Sequence, residues 1–144
     1  MRPIFVFFIL LILTMPAQAG IFDNEPAESA EHFKSSCKTV NAGMYRDLKS
    51  GSGKMYGKRV QFEAVILSIE PISLWDLKYK KNLLRAHMSG HRDVFVIEFY
   101  GELKLKEGDK VRVFGEGDVL YSVKDKNNKW ISFPSILAKY IEDI

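Results

Sequence analysis

The chain has 144 residues, 47% of them apolar, with 21 Lys and Arg against 18 Asp and Glu. One domain around one core is the default at this length, and lysines scattered among acids argue against the concentrated basic face of a nucleic-acid-binding domain. Cys37 is the only cysteine, which excludes an internal disulfide, so core packing must hold the fold.

The first element is an export signal. Arg2 precedes an apolar run from Ile4 to Leu13, and Pro16 and the small-x-small triplet Ala17-Gln18-Ala19 follow. Residues 1–19 therefore read as a signal peptide with cleavage before Gly20. A membrane anchor needs about 20 apolar residues, and Pro16 closes this run too early. Gly20 and not a cysteine stands at the cleavage site, so no thiol is placed there to accept a lipid, and a soluble periplasmic or secreted product without a stable membrane anchor is expected. Residues 20–30 are polar and Pro-containing and read as a mobile leader to a domain spanning 31–144.

From Glu31 to Leu48 the composition suits one short helix in which Tyr45 and Leu48 share a face. Ser50-Gly51-Ser52-Gly53 ends it. Cys37 falls in this segment, where a buried small residue is expected ahead of a mixed disulfide.

Strand patterns dominate the remainder. Arg59 to Glu70 alternates Val60, Phe62, Ala64 and Ile66 against Gln61, Glu63, Val65 and Leu67, and Pro71 stops it. Residues 72–88 fit either a helix capped by Ser73 or a long loop followed by a strand over Leu83 to Met88, and the second is favoured. Val94 to Tyr100 is a strand with Phe95, Ile97 and Phe99 on one face. Lys110 to Val119 is another, and Gly115 and Gly117 suggest a bulge or sharp bend. Trp130 to Phe133 and Ile136 to Ile141 supply the last strands, with Asp125-Lys126-Asn127-Asn128 as hairpin-turn material before them. Five strands bent by glycines, with one short N-terminal helix and no βαβ alternation, predict a mainly β fold built on a small barrel. Its expected interior is Phe62, Ile66, Phe95, Ile97, Val111, Val113, Phe133 and Ile136.

Three runs carry a resemblance: Tyr56 to Phe62, Leu105 to Gly115, and Phe133 to Glu142. In this order they resemble successive strands of bacterial OB-fold domains, particularly exported ones, over roughly Cys37 to Glu142. The resemblance implies a five-stranded OB-fold-like barrel, with a Gly-Lys-x-Val opening, a Gly-Asp-x-Val-x-Val-x-Gly segment and a Pro-x-Ile ending. One departure is that Gly101 to Leu105 is too short for the helix that many OB-folds carry between their third and fourth strands. The helix before the first strand is the candidate to cover a barrel end instead.

Catalytic patterns are scarce. His32, His87 and His91 are the only imidazoles, and they read as exposed loop residues, because Ser89-Gly90 breaks the helix that His87-x-x-x-His91 would need to bind a metal. Asp109, Glu116 and Asp118 flank turns as ordinary solubilising residues. No phosphate loop, nucleophile elbow or zinc-protease motif is present, nor the arginine and Asp-Thr-Pro pattern of thermonucleases, which are exported OB-fold enzymes. No enzyme, metal or cofactor is expected.

The expectation is a binding module. OB-fold surfaces bind oligonucleotides and oligosaccharides, and related surfaces bind proteins. Candidate contact residues are Trp75, Tyr79, Lys80, Lys81, Arg85, Tyr100, Arg112, Phe114, Tyr121 and Trp130. For Tyr100, Phe114 and Trp130 the alternative is a place in the core or over a barrel end. A protein partner in the bacterial envelope ranks first, since export removes most nucleic-acid encounters and near-neutral charge weakens phosphate binding. Oligosaccharide follows, then single-stranded nucleic acid. The competing class is an inhibitor or immunity-type protein that inserts a basic, aromatic loop from Ile72 to Arg92 into a secreted enzyme.

Overall fold

The computed structural model describes residues 27–72 and 80–144. The segment 1–19 read as a signal peptide, most of the segment read as a leader, and Trp75 and Tyr79 lie outside the described residues. Among the described residues there are two short helices, α1 (Ala30–Ser36) and α2 (Ala42–Ser50), separated by the two-residue strand β1 (Lys38–Thr39). The single helix expected over 31–48 is therefore broken. Ser35 and Ser36 turn their hydroxyls back onto the carbonyls of His32 and Phe33, a local alternative to helix propagation. Lys38 and Thr39 instead pair in parallel with Val60 and Gln61. Asn41 restarts the helix, its side chain accepting from Met44 N at 2.9 Å.

The strands that follow are β2 (Arg59–Ile72), β3 (Lys81–Met88), β4 (Val94–Tyr100), β5 (Lys110–Gly117), β6 (Tyr121–Lys124), β7 (Trp130–Phe133) and β8 (Ser135–Asp143). Five of them close a barrel in the order β2-β3-β4-β8-β5, with β5 returning to β2. Only β4 and β8 run parallel within the barrel. The long β2 serves both neighbours, pairing with β5 over Arg59–Val65 and with β3 over Ala64–Ile72, and it bends at an irregularity between Ile66 and Ser68. This is an OB-fold-like barrel, mainly β, with helical structure near the N-terminus.

Alternation decides which side chains enter it. Val60, Phe62, Ala64 and Ile66 from β2 meet Leu84 and Ala86 from β3, Phe95 and Ile97 from β4, Val111 and Val113 from β5, and Ile136 from β8, all at most 5% exposed. Full burial of each large side chain stabilises by about 1.5–3 kcal/mol before chain entropy is subtracted. Tyr45 and Leu48 of α2 join this core, as the shared face of that helix predicts. Asp93 latches the helix, accepting from the Tyr45 hydroxyl and pairing with Lys49 Nζ at 3.0 Å. Burial, then the Asp93 carboxylate, pushes the Tyr45 phenol up, so it remains a donor.

Glycine permits the closure. A Cβ on Gly115 would lie 2.8 Å from Ala138 Cα and against Leu137 O, backbone atoms of β8. The β5–β8 register shifts between Phe114 and Gly115, the bulge that the paired glycines suggest.

Several expectations are corrected. Phe133 is only half-buried and lies in β7, which pairs with β6 in a separate two-stranded sheet and not in the barrel. The missing stave is β3, so the strand reading of 83–88 is right, and Ile72 and Lys81–Met88 of the supposed inserting loop from Ile72 to Arg92 are barrel wall. His87 stands half-buried in β3 and His32 lies on α1, so neither is a loop residue. His91 stacks on Tyr45 with centroids 3.7 Å apart. Part of the assigned leader is engaged with the domain: Ser29 caps α1, and the Glu28 carboxylate takes both Arg59 guanidinium nitrogens at 2.6 and 2.7 Å.

A second, smaller core lies outside the barrel. Phe33 and Cys37 cover Phe114, with Tyr140 beside them. Cys37 is 5% exposed, as a structural thiol would be, and its burial raises its pKa and keeps it protonated. Arg59 and Lys139 stand over the Phe33 ring, 4.5 and 4.6 Å from its centroid, so α1 is held by aromatic packing and by cations together.

Candidate functional site: a cleft beneath the β6–β7 hairpin

Between β5 and β8 the chain leaves the barrel and returns as a hairpin. Asp125 organises its turn, accepting from Asn127 N and Lys129 N at 2.8 and 2.9 Å. Asn128 takes the left-handed conformation, φ 63°, which a three-residue hairpin loop with a bulge requires. Tyr121 pairs with Phe133 and Val123 with Ile131, and pleating puts these four on one face. Ser122, Lys124, Trp130 and Ser132 form the opposite face, where Ser122 Oγ meets Ser132 Oγ at 2.8 Å and Lys124 lies over the Trp130 ring.

The hairpin lies across the outside of the barrel. Val96 N donates to Pro134 O at 2.9 Å, and Leu83 and Val96, whose positions alternate away from the barrel interior, are 6% and 2% exposed. Between the hairpin and the outer faces of β2, β3 and β4 is a cleft of about 230 Å³, lined by Ser68, Glu70, Leu83, Arg85, Val96, Tyr121 and Val123. Its floor is apolar, its far wall carries a guanidinium and a carboxylate, and its roof is a phenol and a valine.

Two larger hollows lie among the described residues, and in each an arginine is already ion-paired, although Lys139 in the second only stands over the Phe33 ring. In one, of about 340 Å³, Arg112 is paired with Glu63 at 2.8 Å. In the other, of about 300 Å³, Arg59 is clasped by Glu28. Arg85 and Glu70 have no ion-pair or side-chain hydrogen-bond partner among the described residues, although they line one cleft. An uncommitted charge pair beside apolar walls is what a ligand with complementary charges would use.

The described candidate residues disperse into five places. Arg85 and Tyr121 meet in the cleft. Lys80, Lys81 and Tyr100 gather at the barrel end where residues 73–79 connect β2 to β3. There Lys80 pairs with Glu102 at 2.8 Å, a bond that raises the lysine pKa and lowers the glutamate's. Lys81 pairs with Glu98 at 3.4 Å, and Tyr100 is 47% exposed. Trp130 is 68% exposed on the outer face of the hairpin. Arg112 lies on the β2–β5 wall, paired with Glu63. Phe114 is a core residue beneath α1, 6% exposed, and is unavailable to a ligand; Tyr100 and Trp130 are not in the core. Ser68, Glu70, Leu83, Val96 and Val123 were missed. The signal that marks them is their place on the outward alternation of β2, β3, β4 and β6.

Among the described residues, no group of three or more His, Cys, Asp or Glu is placed to hold a metal ion, and no helix is long and apolar enough to cross a membrane. The chain matches no protein-family model, and a search of curated proteins returns no significant match.

Proposed function

We propose that this chain is an exported, non-catalytic OB-fold module of the bacterial envelope that binds a protein partner through the hairpin and the cleft beneath it. One observation carries the reading: the hairpin that roofs the cleft exposes Trp130 on its outer face and Ile131 on the other, at 68% and 40% exposure, and the cleft beneath holds Arg85 and Glu70, which have no ion-pair partner among the described residues. Large apolar groups beside charged ones form the kind of surface on which protein interfaces are centred. Export rests on the sequence of residues 1–19, and kinship with exported OB-fold domains on the three strand motifs.

The test uses the chain lacking residues 1–19 as bait in an envelope extract of its own organism. The bait is compared with a Trp130→Ala/Ile131→Ser variant that keeps its melting temperature. A stoichiometric protein retained by the parent and lost from the variant supports the proposal. Equal retention by both, or retention of glycan alone, refutes it.

A further inference from the structure

The hairpin's hydrogen-bond parity leaves a strand edge open above the cleft. Asp125 N donates to Lys129 O at 2.8 Å, and in an antiparallel ladder such bonded pairs alternate with unbonded ones. Val123/Ile131 and Tyr121/Phe133 are then the bonded pairs, so Ser122 and Lys124 direct their N–H and C=O groups away from β7. No described strand other than β7 pairs with β6. Unpaired edges of this kind template the addition of another strand.

The cleft supplies the specificity that the edge lacks. A strand laid along β6 projects alternate side chains toward Ser68, Glu70 and Arg85. Ser68 stands opposite Arg85, and Glu70 opposite Leu83, so Arg85 and Glu70 are diagonal neighbours on the outer sheet face. Diagonal neighbours are about 7–8 Å apart, and same-face residues of a strand recur at roughly 7 Å. A carboxylate and an ammonium or guanidinium at positions i and i+2 of the added strand therefore match both groups at once. Self-association fits poorly, because a second β6 would set Tyr121 and Val123 on its inward face, where Arg85 and Glu70 call for charged side chains.

Resting on the protein-binding reading above, we propose that the partner contributes an extended segment that adds as a third strand to the open edge of β6. That segment sets an Asp or Glu against Arg85 and, two residues away, a Lys or Arg against Glu70.

The probe is a phage-displayed library of random dodecapeptides, panned on the chain lacking residues 1–19. Enriched peptides should pair an acidic and a basic residue at i and i+2, and their binding should slow hydrogen exchange at the Ser122 and Lys124 amides. Ser122→Pro removes an outward N–H without breaking the β6–β7 ladder and should weaken binding at least tenfold, whereas Ser132→Pro on the other edge should not. The Arg85→Glu/Glu70→Arg exchange should reverse the selected charge order. Should Ser122→Pro perturb the hairpin, N-methylation of alternate amides in the peptide reads the same bonds from the other side.

Absence of enrichment, or peptides that bind without protecting Ser122 and Lys124, overturns the strand-addition proposal. So does a β6-dependent dimer in sedimentation. Capture of a partner that depends on Trp130 and Ile131 would still stand in those cases, so the two failures are distinguishable.

Discussion

Alanine at position 115 would place a methyl group 2.8 Å from Ala138 Cα and against Leu137 O. Both atoms belong to the backbone of β8, so no rotamer change relieves the clash, and β5 and β8 must part where their register already shifts. Overpacking costs typically about 1–3 kcal/mol, and a backbone collision belongs at the upper end, about 3 kcal/mol. For a domain of this size roughly 4 °C of Tm accompany each kcal/mol, which gives a fall of about 12 °C. The assay is thermal and urea unfolding of the chain lacking residues 1–19, followed by circular dichroism. Gly43→Ala is the control: its Cβ would meet only Asn41 Oδ1, at an ordinary 3.4 Å. A helical Gly→Ala change there should stabilise by about 0.5–1 kcal/mol. A Gly115→Ala protein within about 0.5 kcal/mol of the parent would refute the close β5–β8 approach on which barrel closure is argued.

Phe33→Ala should release α1 and cost about 3 kcal/mol, the lower end for a buried phenylalanine in a small peripheral core; native Cys37, slow toward maleimide in the parent, should become readily labelled. Trp130→Ala should leave stability within about 0.5 kcal/mol, since the ring is mostly exposed, while abolishing partner capture; a large drop in Tm would place Trp130 in the fold instead. Acidification should destabilise through Asp93 and Glu28. Hydrogen bonds from Tyr45 and Arg59, respectively, hold their folded pKa values below normal. Their stabilisation is present above the ordinary carboxylate range and is lost as pH falls through the depressed folded values. Tyr45→Phe should therefore flatten the acid limb of a Tm-against-pH curve, and an unchanged limb would remove Asp93 from that account.

The alternation of β2, β4 and β5 identified the inward residues from Val60 to Val113 because one buried face leaves strand register little freedom. The pairing of Tyr45 with Leu48 likewise marked the helix face that closes the barrel. Gly115 could be flagged as a bend, but its reason, the backbone of β8 at 2.8 Å, belongs to a residue pair far apart in the chain. Trp130 to Phe133 was misassigned as a stave because a short, mainly apolar run reads alike in a barrel and in a hairpin lying across its outer wall.

Local pattern thus settled that β2, β4, β5 and β8 are strands and which of their side chains turn inward, since alternation depends on neighbours a few residues away, and the count of one cysteine settled that Cys37 has no partner within the chain. Tertiary structure alone decided that β3 and not β7 completes the barrel, that Phe114 is covered by α1, and that Arg85, Glu70 and Tyr121 meet. Those three come from β3, β2 and a hairpin inserted between β5 and β8. Their meeting follows from strand order and closure, which are properties of the whole sheet and leave no trace in the spacing of residues along the chain.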